Sequence, residues 1–361
     1  MKKIKINKKT IIYILAPSRT STGGPECLHQ LGYYLKKIFS LKNVNMVYLP
    51  LNDSKPVHKD YKNYKMKFIN YIEDNENNIL IIPEMYAMLK FSLNFKKITK
   101  VIWWLSIDNY FAFKFNAEYP KLLRSLIKIP FKLISTFNNL TSYQFGIFTY
   151  HDYLKIIYKI INIKKQKEVK QASFHLAQSF YAYSFLKKNL KNVKLLNDYQ
   201  NPKKLKNIKY NYTKKDNIIC YSHKSNIFLD LIKFKCEAKF IKLKNFTSKD
   251  ILNIFKKTKI YMDFGYHPGK DRMPREAVLY NNCIISNLKG SANNNYDIPI
   301  NKKYKFNEKS VNINNIIKRI DKVFLNHKKE FKNFQRYKNL VLNEEKKFKT
   351  QILQIFDKKL K

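Results

Sequence analysis

Ile11–Leu15 is an unbroken apolar run, the pattern of a strand buried on both faces of a parallel sheet. A basic leader, residues 1–9, precedes it and the loop Ala16–Glu26 follows. From Cys27 the apolar positions fall three and four apart, at Leu28, Leu31 and Leu35, which predicts a helix. Thr22 is placed to cap that helix and Pro25 suits its first turn. Asn45–Leu49, Asn78–Ile82 before Pro83-Glu84, and Lys100–Leu105 before Ser106-Ile107-Asp108 predict further strands. Strands alternating with helical stretches indicate an α/β domain with a parallel sheet.

The rhythm breaks between Tyr110 and Lys170. Bulky apolar residues there mix with Lys121, Arg124, Lys128, Lys132, Lys155 and Lys159, and the stretch has 11 basic and 3 acidic residues. Cationic amphipathic helices of this texture suit the interface of an anionic membrane. The α/β pattern returns at Phe174–Ser179, a strand, Phe180–Leu190, a helix, and Val193–Asn197, a strand. Polar residues 201–216, with Pro202, read as a linker. A second unit follows: strands at Asn217–Ser222, Lys239–Leu243, Lys259–Phe264 and Cys283–Ser286, and helices from Ser248, with Ser248 as cap, and over Pro274–Asn281. Ile313–Leu325 and Asn326–Lys361 read as helical. The expected organisation is therefore a first Rossmann-like domain over 1–200 carrying the basic 110–170 insertion, the 201–216 linker, a second Rossmann-like domain over 217–325 and a terminal helix over 326–361.

Composition narrows the partners. The 361 residues include 71 Lys and Arg against 26 Asp and Glu, a formal charge of +45. Such a surface faces polyanions: nucleic acid, anionic lipid or phosphate-bearing substrates. The four cysteines, Cys27, Cys220, Cys236 and Cys283, form no CxxC pair, which argues against a structural zinc site and suits a reducing cytoplasm. No apolar run reaches the roughly 18 residues of a membrane span. There are only 7 glycines, and Gly23, Gly24, Gly265, Gly269 and Gly290 lie in two short neighbourhoods. Arginine is also scarce: Arg19, Arg272 and Arg275, three of six, lie in or beside those neighbourhoods. Where Lys supplies bulk charge, a placed Arg points to bidentate binding of phosphate or carboxylate.

The densest chemistry runs from Asp263 to Ala277, between a predicted strand and a predicted helix, where open α/β sheets bind ligands. His267, Lys270, Arg272 and Arg275 supply positive charge, and Gly265 and Gly269 permit close backbone approach. The helix start offers N–H groups and a dipole to an anion. This set suits a diphosphate without a metal, and Glu276 is placed to accept from ribose hydroxyls. GxxxxGK[ST] is absent, so no Walker A loop is present.

The segments Asp263-Phe-Gly, Pro274–Ala277, Cys283–Ser286 and Lys289–Ala292, with the Thr22–Glu26 glycine loop, resemble the GT-B glycosyltransferases. The likeness is to the family-4-like enzymes and their relatives from capsule and lipopolysaccharide loci. The resemblance is specific around residues 16–30 and 259–300. It implies two Rossmann-like domains facing each other across a cleft, with a final helix crossing back to the first. It further implies that Glu276 holds the nucleotide ribose, that Lys224, Lys270 and Arg272 hold the diphosphate, and that the loop with Arg19, Gly23 and Gly24 lines the acceptor side. The family has two glutamates seven residues apart, and Pro268 stands where the first would be, so retention of configuration does not carry over. Inversion needs a base from the first domain, for which Glu26, His29 and Asp108 follow strand ends.

The expected function is transfer of a sugar from a nucleotide-diphosphate donor to a cell-surface glycan or lipid-linked acceptor, with no metal and no cofactor. The expected setting is cytoplasmic, peripheral on the inner face of the plasma membrane. The alternatives are a non-catalytic membrane-associated sugar- or nucleotide-binding protein and a nucleic-acid binder. Against the last, no RRM, KH or helix-turn-helix signature occurs, so nucleic acid is not an expected partner.

Overall fold

The structure, a computed structural model, describes residues 2–127, 129, 150–200, 215–224 and 227–358. The chain forms two units. The first comprises Met1–Glu118, Ile157–Tyr199 and Glu345–Lys361, and the second Tyr119–Ile156 and Gln200–Glu344.

In the first unit, β1 (Ile4–Ile6) is followed by a seven-stranded sheet: β2 (Ile12–Pro17), β3 (Val44–Leu49), β4 (Lys67–Phe68), β5 (Ile79–Pro83), β6 (Thr99–Trp104), β7 (Phe174–Ala177) and β8 (Val193–Leu195). All pairs are parallel, in the order β4-β3-β2-β5-β6-β7-β8. The central strands are apolar throughout because both faces are covered: Ile12, Ile14, Ile81, Val101 and Trp103 are all fully buried or nearly so. The helix Gly23–Phe39 packs Leu28, Leu31 and Leu35 into the same core. Thr22 stands at its N-cap but makes no side-chain cap; instead its carbonyl accepts from Tyr61 Oη at 2.7 Å. Strand order reverses between β2 and β5, so a crevice is expected at their carboxyl ends, beside residues 17–22 and Pro83-Glu84.

The second unit holds β9 (Asp216–Ser222), β10 (Lys239–Leu243), β11 (Thr258–Asp263), β12 (Cys283–Asn287) and β13 (Lys305–Phe306). They form a parallel sheet in the order β10-β9-β11-β12-β13, which reverses between β9 and β11. The helix Ser248–Lys257 is capped by Thr247, one residue earlier than expected. Thr247 N donates to Asp250 Oδ2 at 3.1 Å and Asp250 N to Thr247 Oγ1 at 3.3 Å, a reciprocal box that Ser248 cannot make from inside the helix. The helix Arg272–Leu279 likewise begins two residues before Pro274.

Three expectations change. Residues 119–156 of the basic stretch, placed by the sequence in the first domain, group with the second unit, where Asp152 accepts from Lys309 Nζ at 3.4 Å. Residues 326–361 are not one helix: His327–Phe331 and Gln335–Leu342 belong to the second unit. Glu344–Ile355 leads into β14 (Phe356–Lys358), which pairs in parallel with β1 in the first unit. The leader is thus partly a strand. Lys128, Lys132 and residues 201–214 of the expected linker lie outside the described residues.

Candidate donor site

The reversal between β9 and β11 brings two loops together. A Cβ at Gly265, just past β11, would stand 2.9 Å from Lys224 Cβ, just past β9, so only glycine lets the two loops approach this closely. Asp263 ends β11 and shapes the turn: Gly265 N donates to its Oδ1 at 2.9 Å and Tyr261 Oη to its Oδ2 at 2.6 Å.

The turn after β12 then holds the loop by its carbonyls. Asn287 Nδ2 donates to Gly265 O at 2.7 Å, Ser291 N to His267 O at 2.9 Å and Ser291 Oγ to Gly269 O at 2.6 Å. Gly290 in that turn has φ +57°, and a Cβ there would lie 2.0 Å from His267 O. Glu308, itself buried, accepts from Asn287 Nδ2 at 3.0 Å and pairs with Lys289.

His267 is fully buried inside this frame. Its Nδ1 lies 2.9 Å from Asp271 Oδ2 and its Nε2 3.7 Å from Asp263 Oδ1. Burial pulls the imidazole down, but the two carboxylates outweigh it and hold its pKa above the ordinary value. Asp271 shows the reverse: burial pushes it up, yet the bond to His267 and the charges of His267, Lys224 and Arg275 bring it below its ordinary value.

Two of the expected diphosphate cations are committed within the protein. Arg275 is fully buried; its Nε donates to Asp271 O at 3.1 Å, its Nη2 to Lys270 O at 2.8 Å and its Nη1 to Glu344 Oε2 at 2.9 Å. Lys270 Nζ lies 2.5 Å from Glu344 Oε1. One carboxylate thus bridges both, and Arg275 fixes the loop instead of facing a ligand. Glu344, about 70 residues downstream, leaves no local signal in the sequence. Gln200 N also donates to it, at 3.3 Å, and Gln200 Nε2 donates to Arg272 O at 3.3 Å. Lys224 is exposed at the end of β9, while Arg272 and Glu276 are half-buried at the first and fifth positions of the helix. Lys224 and Arg272 stand beside the helix N-terminus, where an anion would bind. Among the described residues no cluster of metal-ligating side chains comes together.

In the first unit, Arg19 takes a left-handed conformation, φ 55°. Its exposed side chain pairs with Asp53, Nε to Oδ2 at 2.7 Å, and its N–H donates to Pro56 O at 2.8 Å. Gly23 and Gly24 open the helix at the end of β2, with Gly24 against Leu105. His29 is not a base open to substrate. It is buried, its Nδ1 sits 2.7 Å from Pro25 O and its Nε2 2.7 Å from Tyr48 Oη, and burial lowers its pKa. Asp108 is buried and accepts from the phenols of Tyr158 and of Tyr181, the latter at 3.2 Å, so its carboxylate serves the core. Glu26 is nearly buried and accepts from Tyr64 Oη at 3.3 Å. Sequence reasoning passed over Glu84, which follows β5 at the reversal point. Burial pushes its carboxyl pKa up to about 7, against backbone N–H bonds that lower it, including Leu105 N to Oε2 at 3.0 Å.

No family model and no curated protein matches the chain. Solved structures do. Anabaena HepE in complex with UDP and glucose is 10% identical, over 95% of this chain and 98% of that one, with a TM-score of 0.56. A glycosyltransferase from Rickettsia africae is 12% identical over 98% and 100%, with a TM-score of 0.51. The lipopolysaccharide outer core galactosyltransferase WaaB, in its apo form, is 10% identical over 96% and 99%, with a TM-score of 0.51. The likeness shows the fold: the chain has the α/β architecture of the GT-B glycosyltransferases, two Rossmann-like units over nearly its whole length.

Proposed function

We propose that the protein is a glycosyltransferase of the hexosyl-transferring kind. It takes a sugar from a nucleotide-diphosphate donor and passes it to a cell-surface glycan or lipid-linked acceptor at an anionic membrane surface, without a metal. The observation that supports this best is the loop Asp263–Asp271. It is stitched at three carbonyls, crossed closely by Lys224, and followed by a helix that starts at Arg272 with Glu276 one turn in. Anabaena HepE, similar in fold, was solved with UDP and glucose, which favours UDP as the first donor to try.

As the sugar departs, negative charge builds on the diphosphate. Lys224, Arg272 and the helix N-terminus meet that charge with groups already in place, which lowers the barrier without reorganisation. His267, Asp271, Arg275 and Glu344 act behind them, holding the loop's shape. Glu276 accepts from the ribose. In the first unit, Glu26, in the first turn of its helix, is the carboxylate we assign to take the acceptor's proton.

Thermal-shift measurements against UDP, GDP, CMP and dTDP, each with and without EDTA, test the reading. One nucleotide is expected to raise the melting temperature selectively and regardless of EDTA. Arg272→Ala is expected to lose about a hundredfold in transfer rate, the usual cost of one charge-stabilising donor, with the fold retained. Unchanged turnover in that variant would overturn the site, and loss of the shift in EDTA would overturn metal independence. No shift with any nucleotide would leave the non-catalytic binding reading in its place.

A further inference from the structure

The first unit contains a cavity that the donor site does not use. It has a volume of about 350 Å³, at the small end of the roughly 300–1,000 Å³ usual for ligand pockets. Its lining includes His29, Tyr61, Met66, Phe68, Lys55 and Lys62. His29 and Tyr61 are stacked, with ring centroids 4.7 Å apart. Their polar atoms are already satisfied, His29 by Pro25 O and Tyr48 Oη and Tyr61 by Thr22 O, and both side chains are buried, so they offer no open hydrogen-bonding groups. Phe68 keeps 39% of its surface exposed.

The charges around the cavity are unequal in what they have left to offer. Asp53 is bound by Ser18 and Arg19, and Asp60 by Ser21, whose Oγ donates to Oδ2 at 2.7 Å. Lys55 and Lys62 are exposed, and among the described residues neither ammonium has a side-chain partner. The same contacts join the cavity to the glycine loop: Arg19 N to Pro56 O, Ser21 to Asp60, and Tyr61 to Thr22 O.

Resting on the glycosyl-transfer reading, we infer that this cavity binds an acidic sugar unit of the acceptor. The apolar face of the pyranose lies on Phe68, and its carboxylate meets Lys55 and Lys62. Ring surface with a few polar groups at the edge fits a sugar face. A volume of about 350 Å³ fits a single sugar ring better than a long acyl or prenyl tail, and two exposed ammonium groups favour an acidic over a neutral sugar.

Saturation-transfer NMR on the full chain tests this, with methyl β-glucuronide, its neutral counterpart methyl β-glucoside, and farnesyl phosphate as probes. Lys55→Ala/Lys62→Ala and Phe68→Ala are compared with wild type, and nucleotide binding to the same preparations reports that the rest of the protein is intact. Glucuronide is expected to bind, glucoside to bind far more weakly, and the double lysine variant to lose about tenfold in glucuronide affinity, as for loss of a charged contact. Equal binding of both glycosides, or glucuronide binding indifferent to the lysines, overturns the assignment. Farnesyl phosphate displacing glucuronide with the same lysine dependence would also overturn it, assigning the cavity to a lipid phosphate. Absence of glucuronide binding with nucleotide binding intact defeats this inference alone, whereas absence of nucleotide binding in wild type defeats the glycosyl-transfer reading.

Discussion

Buried ionisable side chains in this protein are set by which neighbours accompany them. His175 is buried with no carboxylate beside it; Trp104 Nε1 donates to its Nδ1 at 3.2 Å, and burial drops its pKa to about 4. His29 is lowered in the same way. His267, more deeply buried than either, goes up, because Asp263 and Asp271 flank it. Glu84 is the carboxylate counterpart of His175, buried without a cation. Its pKa of about 7 when folded exceeds its unfolded value of about 4.5. Folding therefore favours the protonated form, and stability present below about pH 4.5 drains away as pH rises through 7, by on the order of 3 kcal/mol. Glu84→Gln, which cannot ionise, is expected to lose less stability than wild type between pH 5 and 8. Melting temperatures of the two proteins across that range check this. Parallel curves would show that Glu84 does not titrate there.

At the scale of elements, the loop Asp263–Asp271 owes its shape to the turn that follows the next strand. Gly290 is the point of closest approach, so Gly290→Ala would force a methyl group onto His267 O and a side chain into φ +57°. It is expected to cost at least about 2 kcal/mol and to weaken nucleotide binding with it. Melting curves and nucleotide titrations of the variant check both effects, and a melting temperature within about a degree of wild type would show that the turn yields easily. The glycines of this turn and loop were legible in a chain with so few, and so were the strands beside them. β2 and β5 are continuous apolar runs and β6, β11 and β12 carry three or four consecutive apolar residues, a pattern that burial on both faces demands. The edge strands were not legible. β1 is three residues, Ile4-Lys5-Ile6, paired with Phe356–Lys358 at the other end of the chain. β4 and β13 are two residues each. Pairs so short and distant leave no local periodicity. Lys270 and Arg275 look like ligand cations in the sequence for a similar reason: their positive charge is visible there, but Glu344, which pairs with both, is not near them in it. The cavity under Phe68 was also invisible, because its walls come from a loop with no regular pattern.

Over the whole molecule, +45 formal charge makes attraction to any polyanion strong and salt-sensitive, since a Debye length of about 10 Å at 0.1 M salt screens exposed charges from one another. Charge alone does not distinguish a surface that touches lipid from one that is merely basic. The helical residues after Pro120 add the second ingredient. Leu122 is 73% exposed and Leu126 54%, four positions apart and so on one face, alongside Lys121 and Arg124. Among the described residues no helix is long and apolar enough to cross a membrane, and the contact we expect of these side chains is with the interfacial layer. Co-sedimentation with vesicles separates the two contributions. Binding to phosphatidylglycerol vesicles and not to phosphatidylcholine is expected at 50 mM NaCl, with a part that survives at about 0.5 M, where electrostatic attraction is largely screened. Leu122→Ser/Leu126→Ser is expected to remove the surviving part and spare the rest, because burying apolar area does not depend on screening. If the variant sediments like wild type at both salt concentrations, the attraction is purely electrostatic and these leucines do not enter lipid. If phosphatidylcholine binds equally well, the charge is not what selects the surface.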